Sequence, residues 1–330
     1  MWRPTSLSGF TGARSEAVTA EPSRAKGIWA AALTPLSEDG QIDYPGLIRH
    51  IAWLLANGCD GIALFGTTGE APSFTLEERE AALEAVVAGG IAPDKLLVGT
   101  GCCTLSETVR LTRHAVGLGC AGVLVLPPFY FKGVTDDGIY GSYAEVIERV
   151  GDTRLRLYLY HFPDMSGIAI SHAVIGRLLQ DFPDQVTGIK DSSGDLDNMI
   201  RMARGFDGLD VFAGDDHLLW PVLEAGGVGS ITSTANIAPH LLATVYREWR
   251  QGTDAARAAQ AMLKAVWEDA LLHMPVTETL KAYLAHETGN AAWRNLRLPL
   301  VSIGVAQLGD FIVKTEAAGF RLLQSQKEVL

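Results

Sequence analysis

Between residues 27 and 250 the chain alternates two hydrophobic patterns, short apolar runs bounded by Gly, Asp and Ser, and longer stretches whose apolar positions recur at helical spacing. The short runs predict strands at 28–33, 61–65, 95–99, 122–126, 155–160, 186–190, 209–213 and 228–232. The longer stretches predict helices at 44–56, 76–87, 106–118, 136–150, 172–180, 195–204, 217–224 and 239–250. Strands alternating with helices build a parallel sheet, and this many units in so short a stretch favour a closed eight-fold β/α (TIM) barrel over an open doubly wound sheet. Beyond residue 253 the strand pattern ends, and 255–273, 277–286 and 305–324 predict helices. The expected organisation is an arm without periodicity at 1–26, a barrel at 27–252 and a helical region at 253–330. Such an arm is expected to be mobile or to fold against a neighbouring subunit.

Composition narrows the partners more than the fold. A hydrophobic fraction of 48% is enough for a large core. The net charge of −11 comes without a basic cluster that could track phosphates, which argues against nucleic acid. No apolar run is long enough to span a membrane, and residues 1–26 lack the apolar centre of a signal peptide, so a cytoplasmic protein is expected. Cys59, Cys102, Cys103 and Cys120 follow neither zinc-ligand spacing nor the density of a secreted disulfide scaffold. They read as reduced, mostly buried thiols.

In a β/α barrel the chemistry gathers at the C-terminal ends of the strands, and here those ends are polar. The stretch from Val186 to Gly194 reads as a strand ending on Lys190, followed by Asp191, Ser192 and Ser193, residue types that cap helices. Strict alternation would put Val186, Gly188 and Lys190 on one face and Thr187 and Ile189 on the other. Taken alone, the stretch equally suits a lysine reaching for solvent. The second strand ends in Gly66-Thr67-Thr68-Gly69-Glu70, a turn whose amides and hydroxyls suit an anionic oxygen such as a carboxylate, or simply cap the next helix. It lacks the lysine of a nucleotide-binding Walker loop. The fourth strand ends in Pro127-Pro128-Phe129-Tyr130 and the fifth in Tyr160-His161-Phe162-Pro163. Tyr160 occupies the same place on its strand as Lys190, where a hydroxyl can shuttle a proton or merely fill an amphipathic core position. His161 has no second histidine at ligand spacing, and helix capping accounts for most of Asp191, Asp195, Asp197, Asp215 and Asp216, so no metal site is expected.

Joined, these pieces describe imine chemistry. Apolar surroundings favour a free amine over an ammonium ion, and a free amine attacks a ketone. The protonated imine that results is an electron sink, so a carbon–carbon bond two atoms away can break to an enamine or form from one. Threonine donors would hold the carboxylate of a 2-oxo acid while Tyr160 moves the proton.

The motif set Leu33-Thr34-Pro35, Gly66-Thr67-Thr68-Gly69-Glu70, Pro128-Phe129-Tyr130, Tyr160-His161-Phe162-Pro163, Gly188-Ile189-Lys190 and Gly214-Asp215-Asp216 resembles, in order, that of the pyruvate-dependent lyases and synthases that include N-acetylneuraminate lyase and dihydrodipicolinate synthase. The resemblance covers about residues 27–299. It implies that Lys190 forms the Schiff base with pyruvate, that Tyr160 relays protons, that Thr67 and Thr68 bind pyruvate's carboxylate, and that no separate cofactor is needed. It implies a homotetramer of two tight dimers, in which Tyr130 reaches the neighbour's site. Two departures bear on the second substrate. Met165 stands where dihydrodipicolinate synthase has a carboxylate-gripping arginine, and His161 replaces an asparagine. Losing such a charge-assisted contact costs about 1.5–3 kcal/mol, enough to disfavour that substrate roughly tenfold to a hundredfold. Of the acidic pair with which N-acetylneuraminate lyase grips its substrate's tail, only Asp216 remains, its neighbour being His217, while Ser192 and Ser233 keep hydroxyls. The expected second substrate is a hydroxylated aldehyde or sugar-acid fragment other than sialic acid. The expected reaction is class I cleavage or formation of a 4-hydroxy-2-oxo acid. Alternatives are dehydration of a 2-oxo-3-deoxy sugar acid through the same imine, dihydrodipicolinate synthesis itself, a 2-oxo-acid-binding paralogue without activity, and, outside the family, a metal-dependent aldolase.

Overall fold

The structure, a computed structural model, describes residues 24–329. Eight parallel strands close on themselves in chain order: β1 (Gly27–Ala31), β2 (Gly61–Leu64), β3 (Leu96–Gly99), β4 (Gly122–Val125), β5 (Leu157–His161), β6 (Val186–Asp191), β7 (Asp210–Ala213) and β8 (Gly229–Thr232). Each predicted strand is found within a few residues of its expected bounds. The helices α1 (Tyr44–Ala56), α2 (Leu76–Ala88), α3 (Leu105–Gly117) and α4 (Asp136–Val150) follow the first four strands. A four-residue helix α5 (Pro163–Ser166), which the pattern did not predict, precedes α6 (His172–Asp181), and α7 (Leu196–Gly205), α8 (Leu219–Glu224) and α9 (Pro239–Glu248) complete the ring.

Two apolar layers follow from strand alternation. Trp29, Leu97, Leu124, Tyr158, Tyr160, Phe212 and Ile231 fill the barrel, and a second, larger cluster fills the space between strands and helices. The alternation expected for β6 fails at its start. Tyr158 pairs with Gly188 directly after Leu157 pairs with Val186, so Thr187 is an extra residue and Val186 joins the helix-facing layer with Ile189. Gly188 and Lys190 keep the inward face. Gly188 must lack a side chain, because a Cβ there would lie 2.4 Å from the Asp210 carbonyl and 2.8 Å from the Tyr158 ring.

The expected arm ends on a fastened segment. Residues 1–23 lie outside the described residues, whereas Arg24 pairs with Asp210 at 3.3 Å and donates to the carbonyls of Thr187 and Gly208. The Ala25 amide donates to the Tyr158 hydroxyl at 2.9 Å. These contacts close the barrel floor, opposite the polar strand ends.

Two of the predicted C-terminal helices are interrupted. The stretch expected as one helix at 255–273 is α10 (Asp254–Ala265) followed by a π-helical turn over Val266–Leu271. After α11 (Val276–Thr288), the stretch expected at 305–324 stops at α12 (Val305–Ala317), where Gly319 takes a positive φ of 80°, and a separate α13 (Gln324–Val329) ends the described chain. The first is a change of helical register within a continuous helical stretch, whereas the second falls at Gly319, a glycine stop that the sequence carries.

Candidate active site

Side chains on neighbouring strands meet at the top of the barrel. Tyr160 and Lys190 are register partners on β5 and β6, both inward and both buried. The Lys190 ammonium nitrogen Nζ donates to the Tyr160 hydroxyl at 3.2 Å, and that hydroxyl lies 3.3 Å from Thr67 Oγ1. Three residues that sequence analysis drew from three separate strand ends thus form one hydrogen-bonded chain. They lie in the wall of a cavity of about 480 Å³, which Thr68, Ser192, Ser233 and Met165 also line.

The loop carrying Thr67 and Thr68 is strained and braced. Phe65 and Glu70, which flank it, adopt φ of 56° and 57°, a left-handed conformation costly for side chains other than glycine. What holds it is a buried pair: Lys281 on α11 donates to Glu70 Oε1 at 2.6 Å and to the Thr34 carbonyl at 2.9 Å, with neither side chain exposed. The Arg297 amide donates to the other Glu70 oxygen at 3.2 Å, and Thr34 Oγ1 donates to the Gly69 carbonyl at 2.9 Å. Burial pulls the Lys281 ammonium below its ordinary range, against the opposing pull of Glu70.

Three expected site residues are elsewhere. His161 follows inward-facing Tyr160, so alternation turns it outward beside Asp191, where it is buried and its Nδ1 accepts the Ile170 amide at 3.1 Å. The accepting Nδ1 places the proton of the neutral ring on Nε2, and burial lowers its basicity. It packs; it does not line the cavity. Asp216 is also behind the wall, its carboxylate beside Thr232 and Thr234 but with neither oxygen in a hydrogen bond of ordinary geometry. Burial raises its carboxyl above the usual range. Strand β7 ends at Ala213, and a 3-10 turn over Asp216–Leu218 rotates the chain, so it is Asp215 that faces the cavity. Tyr130 is 74% exposed, rests edge-on against Phe131 and contributes nothing to the cavity of its own chain.

Other cavity residues gave no signal in the sequence. Phe162 and Asp215 lie within the quoted motifs but have no role in the site expected from sequence, and Trp267, Met274, Val276 and Leu300 belong to the C-terminal segment, which overhangs the barrel mouth. Gly214 lies where a Cβ would come within 2.1 Å of Ser192 Oγ, so its hydrogen keeps that edge open. The remaining acids serve the backbone as expected: Asp191 accepts the Ser193 amide and the Asn198 side chain, and Asp195 caps α7 through the Asn198 amide. Among the described residues no group of three or more His, Cys, Asp or Glu is placed to hold a metal ion. Cys59 and Cys120 are buried, Cys102 is partly so and Cys103 is exposed, and all four are unpaired.

Residues 24–311 match the model of the dihydrodipicolinate synthetase family. The chain is 36% identical to a DapA-like lyase of Chloroflexus aurantiacus, over 86% of this chain and 93% of that one. It is 35% identical to a 4-hydroxy-tetrahydrodipicolinate synthase of Gluconacetobacter diazotrophicus, over 84% and 92%. Among solved structures, dihydrodipicolinate synthase from Agrobacterium tumefaciens superposes with a TM-score of 0.82 at 31% identity, covering 90% of this chain and all of that one. YagE, a prophage protein of the same family from E. coli K12 solved in complex with pyruvate, superposes at 0.81 with 25% identity over 90% and 99%. The chain therefore belongs to the dihydrodipicolinate synthetase family and is one of its lyases and synthases.

Proposed function

We propose that this enzyme is a class I aldolase that cleaves a 4-hydroxy-2-oxo acid to pyruvate and an aldehyde, or condenses the two. The carrying observation is the chain from Lys190 Nζ through the Tyr160 hydroxyl to Thr67 Oγ1 in the cavity wall. Lys190 attacks the 2-oxo carbon and water leaves, giving the imine. The Tyr160 hydroxyl, held between amine and threonine, carries the proton that leaves nitrogen to the departing oxygen. Thr67 and Thr68 hold the carboxylate. As the 4-hydroxyl gives up its proton and becomes the aldehyde carbonyl, the imine draws in the electron pair of the breaking carbon–carbon bond. The resulting enamine takes a proton at carbon to give the pyruvate imine, and water hydrolyses that imine to release pyruvate and restore the Lys190 amine. No metal or separate cofactor takes part in this reading.

Tyr130, turned to solvent, is free to enter the cavity of a second copy, in line with a dimer of dimers. Among the described residues no helix is long and apolar enough to cross a membrane, and with four unpaired thiols we place the enzyme in the cytoplasm. Dehydration through the same imine uses the same residues. Dihydrodipicolinate synthesis, favoured by the relatives' names, has Met165 against it, since a thioether cannot pair with a carboxylate. In the presence of pyruvate, borohydride should fix a pyruvoyl adduct on Lys190, detected by peptide mass spectrometry, and Lys190→Ala should abolish both the adduct and turnover. Activity should survive chelation. An unmodified Lys190 would rule the reading out.

A further inference from the structure

The cavity that holds Lys190, Tyr160 and the two threonines is lined as well by the apolar side chains of Phe162, Met165, Trp267, Met274, Val276 and Leu300. Ser73, Ser192, Ser233 and Thr277 add hydroxyls to the lining. Among the described residues lining the whole cavity, Lys190 is the only cation. Lys132, which reaches the residue after Met165, already donates its ammonium to the carbonyls of Phe129 and Ser166. Two carboxyl groups, Asp215 and Glu278, face the same space, and Asp164, exposed on α5 one residue before Met165, adds negative charge felt by Asp215. Glu70 also borders the cavity but is neutralised by Lys281.

An anionic tail would meet no counter-charge here and would face the acidic side chains of Glu278 and Asp164. A polyhydroxylated tail would find the hydroxyls of Ser73, Ser192, Ser233 and Thr277 but would leave its other hydroxyls against apolar side chains, at the cost of unmade hydrogen bonds. We propose that the second substrate is an uncharged aldehyde with an apolar body, bound through its carbonyl oxygen to the Asp215 carboxyl. The inference rests on the imine reading given above and departs from the aldehyde expected from sequence, which was a hydroxylated or sugar-acid fragment. The Asp215 side chain makes no hydrogen bond to any described residue and is therefore free for a ligand. Burial, followed by the charge of Asp216, pushes its carboxyl up to about 7, so it holds a proton to give near neutral pH. In condensation the enamine carbon bonds to the aldehyde carbon, the carbonyl electron pair moves onto oxygen, and that oxygen takes the Asp215 proton. Cleavage runs in reverse: the carboxylate removes the hydroxyl proton, the carbon–carbon bond breaks, and its electrons enter the imine.

The test is a panel of aldehydes offered with pyruvate to the full-length enzyme: benzaldehyde and 3-methylbutanal as uncharged apolar members, glyceraldehyde as a polyol, succinic semialdehyde as an anion and 3-aminopropanal as a cation. The apolar aldehydes should give kcat/KM at least tenfold above the others. Met165→Arg should raise kcat/KM for succinic semialdehyde at least tenfold, and Asp215→Ala should lower turnover of the apolar aldehydes at least a hundredfold. Borohydride trapping of pyruvate on the wild-type enzyme runs alongside. If trapping succeeds but a charged or polyhydroxylated aldehyde is preferred, the substrate inference falls and the imine reading stands. If trapping fails, both fall. Apolar preference that is unchanged in Asp215→Ala overturns the role of the carboxyl.

Discussion

Asp215 sits in the cavity wall with its carboxyl pushed up to about 7, first by burial and then by Asp216, against the opposing pull of Lys190. A carboxyl raised in the folded state holds its proton more tightly there than in the unfolded chain. Its contribution to stability is therefore greatest at about pH 4 and below, and is lost as pH rises toward 7. Asp215→Asn removes that loss. We expect the variant to melt higher than the parent at pH 8, by an amount on the order of 2–4 kcal/mol, and to match it near pH 4. Scanning calorimetry at the two pH values checks this, and a uniform shift would show a different cause. The neighbouring motif residues show how far a residue can be read from sequence. Lys190 and Tyr160 both face inward, as strand-end position suggested, because each lies in the paired part of its strand one residue before the end, whereas Asp215 and Asp216 follow β7, where alternation no longer says which carboxyl turns inward.

At the scale of elements, the loop after β2 depends on α11. Two left-handed residues flank Thr67 and Thr68, and the Lys281–Glu70 pair ties that conformation to a helix more than 200 positions away in sequence. Removing one member leaves the other charge buried. Lys281→Met should therefore destabilise the protein by about 3–5 kcal/mol, read from urea unfolding, and should raise KM for pyruvate as the threonine loop relaxes. A variant with wild-type stability would mean that Glu70 finds another partner. The turn itself was evident from Gly66-Thr67-Thr68-Gly69, since its glycines and hydroxyls are local features. Its support was not, because Lys281 looks in sequence like any other lysine on a helix.

At the scale of the molecule, the two ends of the barrel divide stability from chemistry. Arg24 bridges β6 and β7 at the floor through Asp210 and two carbonyls, at the opposite end of β6 from Lys190. Because Arg24 is partly exposed, Arg24→Ala should cost only about 1–2 kcal/mol, lowering the melting temperature while leaving the rate of pyruvate trapping unchanged. A slower trapping rate would show that the floor and the mouth are coupled. The same division separates what could be read early from what could not. The sequence by itself determined the eight strands, the closed barrel and the strand-end set of Lys190, Tyr160 and Thr67, because period, turn chemistry and strand-end position are local properties that adjacent residues carry. Only the tertiary structure decided that His161 and Asp216 stand behind the wall, that Val186 faces the helices, and that Trp267, Met274, Val276 and Leu300 line the cavity. Those outcomes depend on a one-residue slip, a turn that ends alternation, and a distant segment folding back over the barrel, and none of these leaves a mark in hydrophobic spacing.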